Sequence, residues 1–341
     1  MNNSILMCFT SSLLTCVILA GEVKEEKDAL GIMWAYEIRN ECFIKGARRI
    51  GPSANLGKLT IPATLGGRPV FCIDQRAFKN QGDLTEVVVS SGVRQICREA
   101  FAGCTNLVSV YMEDGDCCVN GIDGDAFAHC QKLASVRLPD GLCRISSYAF
   151  EGCNSLLEVK LPEHCLTAFN GFEWCKGLKR IEIGRTYYFE AQYATLPGCE
   201  SLFEIVVPTN DETFAVWNGI LYSKDGKFLV RCPPRLPNGE IKVRDGVIGI
   251  CPMAFESCTI KSVSLPDSLK AIGYGAFQGC TNLVSLTIPA DLILVDGKAF
   301  HGCRSLRTVV FLGKKRPEIG EDAFPECTKL LFPDSTSKPK D

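Results

Sequence analysis

Histidine is scarce in this chain, with 3 among 341 residues. Acid–base catalysis near neutral pH and imidazole-bound metal therefore have little to build on. Although there are 20 cysteines, no two stand at the Cys-x-x-Cys spacing of a metal knuckle, which argues against zinc. Net charge is nearly absent: 37 basic residues face 39 acidic ones, a formal −2. That balance excludes a binder that works by neutralising nucleic-acid phosphates. Neither Gly-x-Gly-x-x-Gly nor a phosphate-binding loop occurs, and the 31 glycines fall in turns. With 46% hydrophobic and 22% charged residues, the chain can bury a core and is not disordered.

A long apolar run occurs once. Residues 1–21 carry no charged side chain, and the run Glu22, Lys24, Glu25, Glu26, Lys27, Asp28 follows abruptly. An apolar stretch of this length ending at small residues (Ala20, Gly21) reads as a signal-peptide core, although no Lys or Arg precedes it. An uncleaved anchor, a lipoprotein signal at Cys16 and a false start of the reading frame are the alternatives. No other segment is apolar enough to span a membrane, so none is expected in the mature chain.

What the chain has in abundance is self-similarity. Ala-Phe recurs at Ala77-Phe78, Ala100-Phe101, Ala126-Phe127, Ala149-Phe150, Ala254-Phe255, Ala276-Phe277, Ala299-Phe300 and Ala323-Phe324, with Phe172 and Leu196 in degenerate copies. Three residues after that slot stands Cys104, Cys130, Cys153, Cys175, Cys199, Cys258, Cys280, Cys303 or Cys327, while the first copy has Gln81. Three further on comes an apolar residue such as Leu107, Leu133, Leu156 or Leu283. The repeat length of about 22 to 26 residues lies in the leucine-rich-repeat range. Within each unit a short strand (LVSVYM, LLEVKLP, LVSLTIP) ends at a proline such as Pro139, Pro162 or Pro289, which has no N–H to give a ladder. A second extended piece (VRQI, LCRI, LKAI) leads to the Ala-Phe-x-x-Cys turn. No single coil can bury its apolar face alone, so coils must stack. The expected fold is a β-rich repeat solenoid of short parallel strands and short helical turns, with one inserted β-hairpin.

The pattern Ile-x-x-x-Ala-Phe-x-x-Cys-x-x-Leu-x-x-Val-x-Leu-Pro, as from Ile272 to Pro289, closely resembles the BspA-like leucine-rich repeat family. The likeness runs from about residue 59 to 332. It extends to the lead-in GKLTIPATLGGRPVFCIDQRAF and to the insertion WNGILYSKDGKFLVRCPP, whose Asp225-Gly226 is a preferred hairpin turn. The likeness implies adhesion to extracellular matrix or to other cells.

The expected organisation is a targeting segment at 1–21, a charged linker at 22–30 and an N-terminal cap at 31–70 with a hairpin across Arg39-Asn40. Repeats follow at 71–209, the inserted hairpin at 210–240, repeats again at 241–332, and a polar tail at 333–341. Cysteines of the repeat slot should form a column of buried thiols, since free Cys packs as a small hydrophobe. Disulfides are better sought among Cys42, Cys72, Cys117, Cys118, Cys165 and Cys232. His129 and His301 lie near Cys130 and Cys303 but on the exposed side of the turn, so no Cys–His nucleophile is expected.

In each Val-x-Leu strand the middle residue faces outward. This gives Val88, Tyr111, Arg137, Lys160, Glu182 and Val206 down the stack, with Arg180 at the preceding outward site and Phe203 beside it. These eight residues form the candidate ligand face, a charged zone bordered by apolar and aromatic anchors. The aromatic residues Tyr187, Tyr188, Phe189, Tyr193, Phe214, Trp217 and Tyr222 either extend it or pack irregular coils. The expectation is a secreted or cell-surface recognition protein for a protein ligand, with no cofactor and no enzymatic activity. The rival is a cytoplasmic repeat scaffold or regulator whose N-terminal stretch is not a working signal.

Overall fold

The computed structural model describes residues 22–39, 41–49, 55–115, 121–163, 165–167, 169–184, 196–236 and 239–333. The targeting segment, Cys117, Cys118, the run from Tyr187 to Tyr193 and all but the first residue of the tail lie outside them.

Apolar residues at alternate positions build one parallel strand per coil. Leu84–Val89, Ser109–Met112 and Ser135–Arg137 form one part of the strip. Glu158–Lys160, Arg180–Glu182 and Glu204–Val206 form the next. Beyond the insertion the strip continues through Ser262–Ser264, Ser285–Ile288 and Thr308–Phe311. Ser135–Arg137, Glu158–Lys160, Glu204–Val206, Ser262–Ser264 and Ser285–Ile288 stop at a proline, whose carbonyl then accepts the N–H three residues on, as Pro139 does from Leu142 and Pro289 from Leu292. A two-residue strand follows, such as Gln95–Ile96, Arg144–Ile145 or Ala271–Ile272, and these also pair in parallel from coil to coil. The result is a β-solenoid of about 11 turns.

The third side of each coil is not helical. The one helix among the described residues is the single 3₁₀ turn Phe169–Phe172. Elsewhere the Ala-Phe-x-x-Cys segment is two linked β-turns that place residues at positive φ just before Ala and two after Phe. Glu99 with Gly103, and Asp125 with His129, are examples. This conformation breaks an α-helical ladder and turns alternate N–H groups toward the next coil. The Phe78 N–H donates to Ala100 O, Phe101 to Ala126 O, Phe127 to Ala149 O and Phe277 to Ala299 O, at 2.7–2.8 Å. The expected helical turns are therefore a third inter-coil ladder.

Between the strands and this ladder lies the core. Phe78, Phe101, Phe127, Phe150 and Phe172 stack with centroids 5.0–5.2 Å apart and planes within 7°. Phe255, Phe277, Phe300 and Phe324 form a second stack at 4.6–4.9 Å. Beside the rings, each buried cysteine of the repeat slot donates its S–H to the carbonyl of the Phe slot one coil back. Cys104 reaches Phe78 O at 3.1 Å, Cys153 reaches Phe127 O at 3.3 Å, and Cys303 reaches Phe277 O at 3.0 Å. That carbonyl already accepts the N–H three residues on in its own coil, from Gln81 at Phe78 and from Cys130 and Cys280 at Phe127 and Phe277, so the thiol takes its second lone pair. The column holds Cys104, Cys130, Cys153, Cys175, Cys199, Cys258, Cys280 and Cys303, all buried. Cys327 differs: it is exposed, because no described coil stacks on its far side.

Two further expectations change. Residues Val23–Lys27 of the charged linker form a fully exposed strand antiparallel to Ile32–Ile38, which in turn pairs with Cys42–Arg49. Composition cannot separate a solvated linker from a solvated edge strand, and charges on an edge strand deter pairing with other chains. Cys232, a disulfide candidate, instead takes the Phe slot of the inserted coil. Its N–H donates to Ala254 O at 2.8 Å and its carbonyl accepts the Cys258 thiol at 3.4 Å. The insertion itself is a three-stranded meander, Phe214–Trp217, Ile220–Ser223 and Phe228–Arg231, whose last strand joins the parallel ladder at Gly249–Ile250.

Beside Cys232, Arg231 is fully buried where the small Ala would stand. Its guanidinium donates to Leu196 O at 3.1 Å and to Met253 O, and lies 3.7 Å from the Glu256 carboxylate. Glu256 in turn accepts the Gly198 N–H at 3.1 Å. One ion pair thus ties the last coil of the first block to the first coil of the second.

The thiol column generates a direct expectation. In reduced native protein a small alkylating reagent should modify Cys327 and Cys97 within minutes, and Cys104, Cys130, Cys153, Cys175, Cys199, Cys258, Cys280 and Cys303 only after unfolding. Peptide mapping after timed alkylation reads this, and rapid native labelling of the column would refute its burial.

Candidate functional site

The outward positions of the strand strip lie in registered columns. Glu158, Arg180 and Glu204 are opposite one another, as are Lys160, Glu182 and Val206. Thr60, Val88, Tyr111 and Arg137 continue the face toward the cap. All eight candidate residues therefore sit on or beside one strip, with Phe203 leading into its strand.

Their chemistry is more self-contained than the sequence suggests. The Lys160 ammonium lies 3.1 Å from Glu182, while Arg180 bridges Glu182 at 3.2 Å and Glu204 at 3.0 Å. Partial burial works against ionisation of Glu182. Hydrogen bonds from Lys160 and Arg180 outweigh it and hold the carboxyl below its usual range. Arg137 pairs with Asp114, donates to Met112 O at 2.6 Å and lies 4.9 Å above the Tyr111 ring. The hydrogen bond from Arg137, then the Asp140 N–H, keep Asp114 below the normal carboxylate range. Such exposed pairs contribute little each, and Lys160 and Arg180 against Glu158, Glu182 and Glu204 leave the zone one negative charge from neutral.

Apolar exposure is what remains unanswered. Tyr111 is 44% exposed and Phe203 45% exposed, whereas Val88 and Val206 are half-buried. Beside them are two residues the alternation rule missed, Val108 and Leu157, each 46% exposed. Like Phe203, they are the first residue after the inward Leu (Leu107, Leu156, Leu202), where the chain turns the corner into the strand. That shared slot is the signal that would have found them. Ala134 and Lys179 fill the same slot in the intervening coils, and backbone bonds Ala134 N–H to Val108 O and Lys179 N–H to Leu157 O, both 2.8 Å, tie the column together. A largely apolar column, interrupted by Lys179, thus borders the charged ladder.

At the far ends of the same strands an open cleft of about 540 Å³ is lined by Asp140, Lys160, Pro162, Glu163, Glu182 and Pro208. His129 and His301 are exposed on the turn side of the coil, while the Cys130 and Cys303 thiols point to carbonyls inside. Among the described residues no group of three or more His, Cys, Asp or Glu side chains is placed to hold a metal ion. None of their helices is long and apolar enough to cross a membrane. Of the other aromatic candidates, Phe214 and Tyr222 are buried, and Trp217 contacts Tyr222 edge-on at 6.3 Å. They pack the insertion.

On the turn side, Trp174 lies against Gly198, whose φ of +72° and missing Cβ leave room for the indole. Next to it Glu173 is half-buried, and its carboxyl is pushed up to about 7 by burial first and then by Glu151 and Glu256. A carboxyl raised in the folded state adds stability below the unfolded pKa near 4.5 and loses it as pH rises through 7. Glu173→Gln should therefore leave the melting temperature little changed at pH 4.5 and raise it at pH 8. Parallel pH–stability curves for the two proteins would contradict this.

The sequence matches the family model for the BspA type leucine rich repeat region over residues 72–195 and 238–337, in 6 copies. Among solved structures, a leucine-rich cell surface protein of Faecalibacterium prausnitzii is 23% identical, with TM-score 0.56 over 92% of this chain and 96% of that one. The pneumococcal vaccine antigen PcpA is 17% identical, with TM-score 0.63 over 93% and 95%. A leucine-rich repeat protein of Eubacterium ventriosum is 18% identical, with TM-score 0.61 over 92% and 85%. At these identities the likeness is one of fold. No curated protein matches the chain.

Proposed function

Because the chain belongs to the BspA-type leucine-rich repeat family, we propose that it is a secreted or surface-displayed recognition protein that adheres to extracellular matrix or to other cells, without catalytic activity of its own. A rigid stack of registered strands offers a long protein-binding surface, and repeat solenoids are used in that way. The observation that carries the reading is the apolar strip Val108, Leu157 and Phe203, with Tyr111, beside a charge ladder that satisfies itself. Exposed apolar side chains grouped on one face mark a partner site, and central aromatic anchors supply most binding energy. Val88, Arg137, Lys160, Arg180, Glu182 and Val206 would then form the polar and half-buried surround that sets register. Similarity in fold to a leucine-rich cell surface protein supports display outside the cell.

Protease shaving of intact source cells tests the location. Loss of the protein from intact cells, with a mature start near Gly21 or Glu22, is expected. Protection until lysis, with Met1 retained, would favour an internal scaffold instead. For the face, Tyr111→Ala combined with Phe203→Ala should lower retention on a cell-derived matrix about tenfold or more, as for loss of ~1–2 kcal/mol per anchor. The melting temperature should stay within about 2 °C, since neither side chain belongs to the buried core. Unchanged retention would remove this strip as the binding surface.

A further inference from the structure

Two cysteines meet where the N-terminal cap joins the first repeat. Cys72 lies in the strand Arg68–Ile73, and Cys97 directly follows the strand Gln95–Ile96. The strands run parallel with Cys72 opposite Gln95 and Ile73 opposite Ile96. Ile73 and Ile96 face the core, so by alternation Cys72 and Cys97 project from the other side of the same strand pair. The Cys97 N–H donates to Ile73 O at 2.9 Å, which holds the two thiols on one face of adjacent strands, where each acts on the other's ionisation. Phe43 of the cap lies opposite Cys72 on its other flank, and Cys72 is buried while Cys97 is half-buried.

This contact differs in kind from the other thiol pairs. Cys104–Cys130, Cys232–Cys258 and Cys280–Cys303 also touch, but both members of each are buried. The Cys130, Cys258 and Cys303 S–H groups are taken up by carbonyls of the preceding coil. Among the described residues, no backbone carbonyl accepts the Cys72 or Cys97 proton. The pair is therefore an accessible thiol next to a sheltered one, with no other structural duty for either proton.

We propose that Cys72 and Cys97 are a modification site at which an intrachain disulfide forms by exchange with a small-molecule disulfide such as oxidised glutathione. The Cys97 thiolate attacks one glutathione sulfur, forming a mixed disulfide and releasing one glutathione thiolate. The Cys72 thiolate then attacks the Cys97 sulfur, expelling the second. Glutathione disulfide takes two electrons and becomes two thiols, and the two cysteine protons pass to them. Interaction with the Cys97 thiol, followed by burial, pushes the Cys72 thiol up. That order of events suits Cys97 as the entering thiol and Cys72 as the resolving one. The bond would staple neighbouring strands at the cap end of the stack, and terminal units of a solenoid are held from one side only.

The test uses the full chain. Reduced protein is equilibrated with oxidised glutathione under native conditions, alkylated, digested and mapped by mass spectrometry. A cross-linked peptide joining Cys72 to Cys97, with loss of both from alkylation, is expected. Cys97→Ser should abolish the cross-link and leave Cys72 alkylatable after unfolding. Cys72→Ala keeps the accessible thiol and should trap Cys97 as a stable glutathione adduct. The proposal is overturned if the unmodified sequence itself stops at that adduct, if both thiols remain free, or if Cys97 pairs with another cysteine.

Discussion

Every other feature of this molecule depends on the hydrogen bond from the N–H of each Phe slot to the carbonyl of the Ala slot one coil on. Two strips of parallel strands alone would leave the third side of each coil open, with buried polar backbone unsatisfied. Positive φ before Ala and after Phe turns alternate N–H groups along the stack, and the third side becomes a ladder as regular as the other two. The same geometry sets the Phe rings about 5 Å apart and parallel. It also leaves one carbonyl lone pair that only a small side chain with a proton can reach. Cysteine meets both conditions, which accounts for its recurrence in this slot.

The insertion shows how far that rule can be stretched. Between Phe172 and Phe255 the slot holds Leu196 and then Cys232, and the ring stack is interrupted. Backbone continuity survives because Cys232 donates and accepts where a Phe would. Leu196 is buried in the first of these slots, and beside Cys232 the Arg231 side chain and its partner Glu256 are buried as well. A buried ion pair is weak evidence for added stability, though removing one partner is costly at ~3–5 kcal/mol. Its geometry fits a role in alignment, since the guanidinium contacts carbonyls on both sides of the interruption. The meander can then project from the stack without unhooking the two blocks.

On the strand strip, registered columns have the opposite consequence. Stacking places Lys160 against Glu182 and Arg180 between Glu182 and Glu204, so charges that look available in sequence are spent on one another. The residues left unanswered are those at the corner into the strand. On the proposed binding face, charge would contribute specificity and orientation, while Tyr111, Val108, Leu157 and Phe203 would offer the area for a partner to exclude from water.

The sequence by itself determined the repeat, its length, the inward Phe, Cys and Leu slots, the proline-ended strands and the inserted turn at Asp225-Gly226. These follow from local patterning, because period-2 alternation and a repeat that cannot bury its face alone admit few solutions. Only the tertiary structure decided that the Ala-Phe turns are ladders and not helices, since the acceptor for each Phe N–H lies in another coil 21 to 25 residues away. It alone made Val23–Lys27 an edge strand, buried Arg231, exposed Cys327 and brought Cys72 to Cys97. It also paired Arg180 with two carboxylates at once. Each of these depends on what the neighbouring coil presents at the same height. That is a relation between distant residues, and no single stretch of chain contains it.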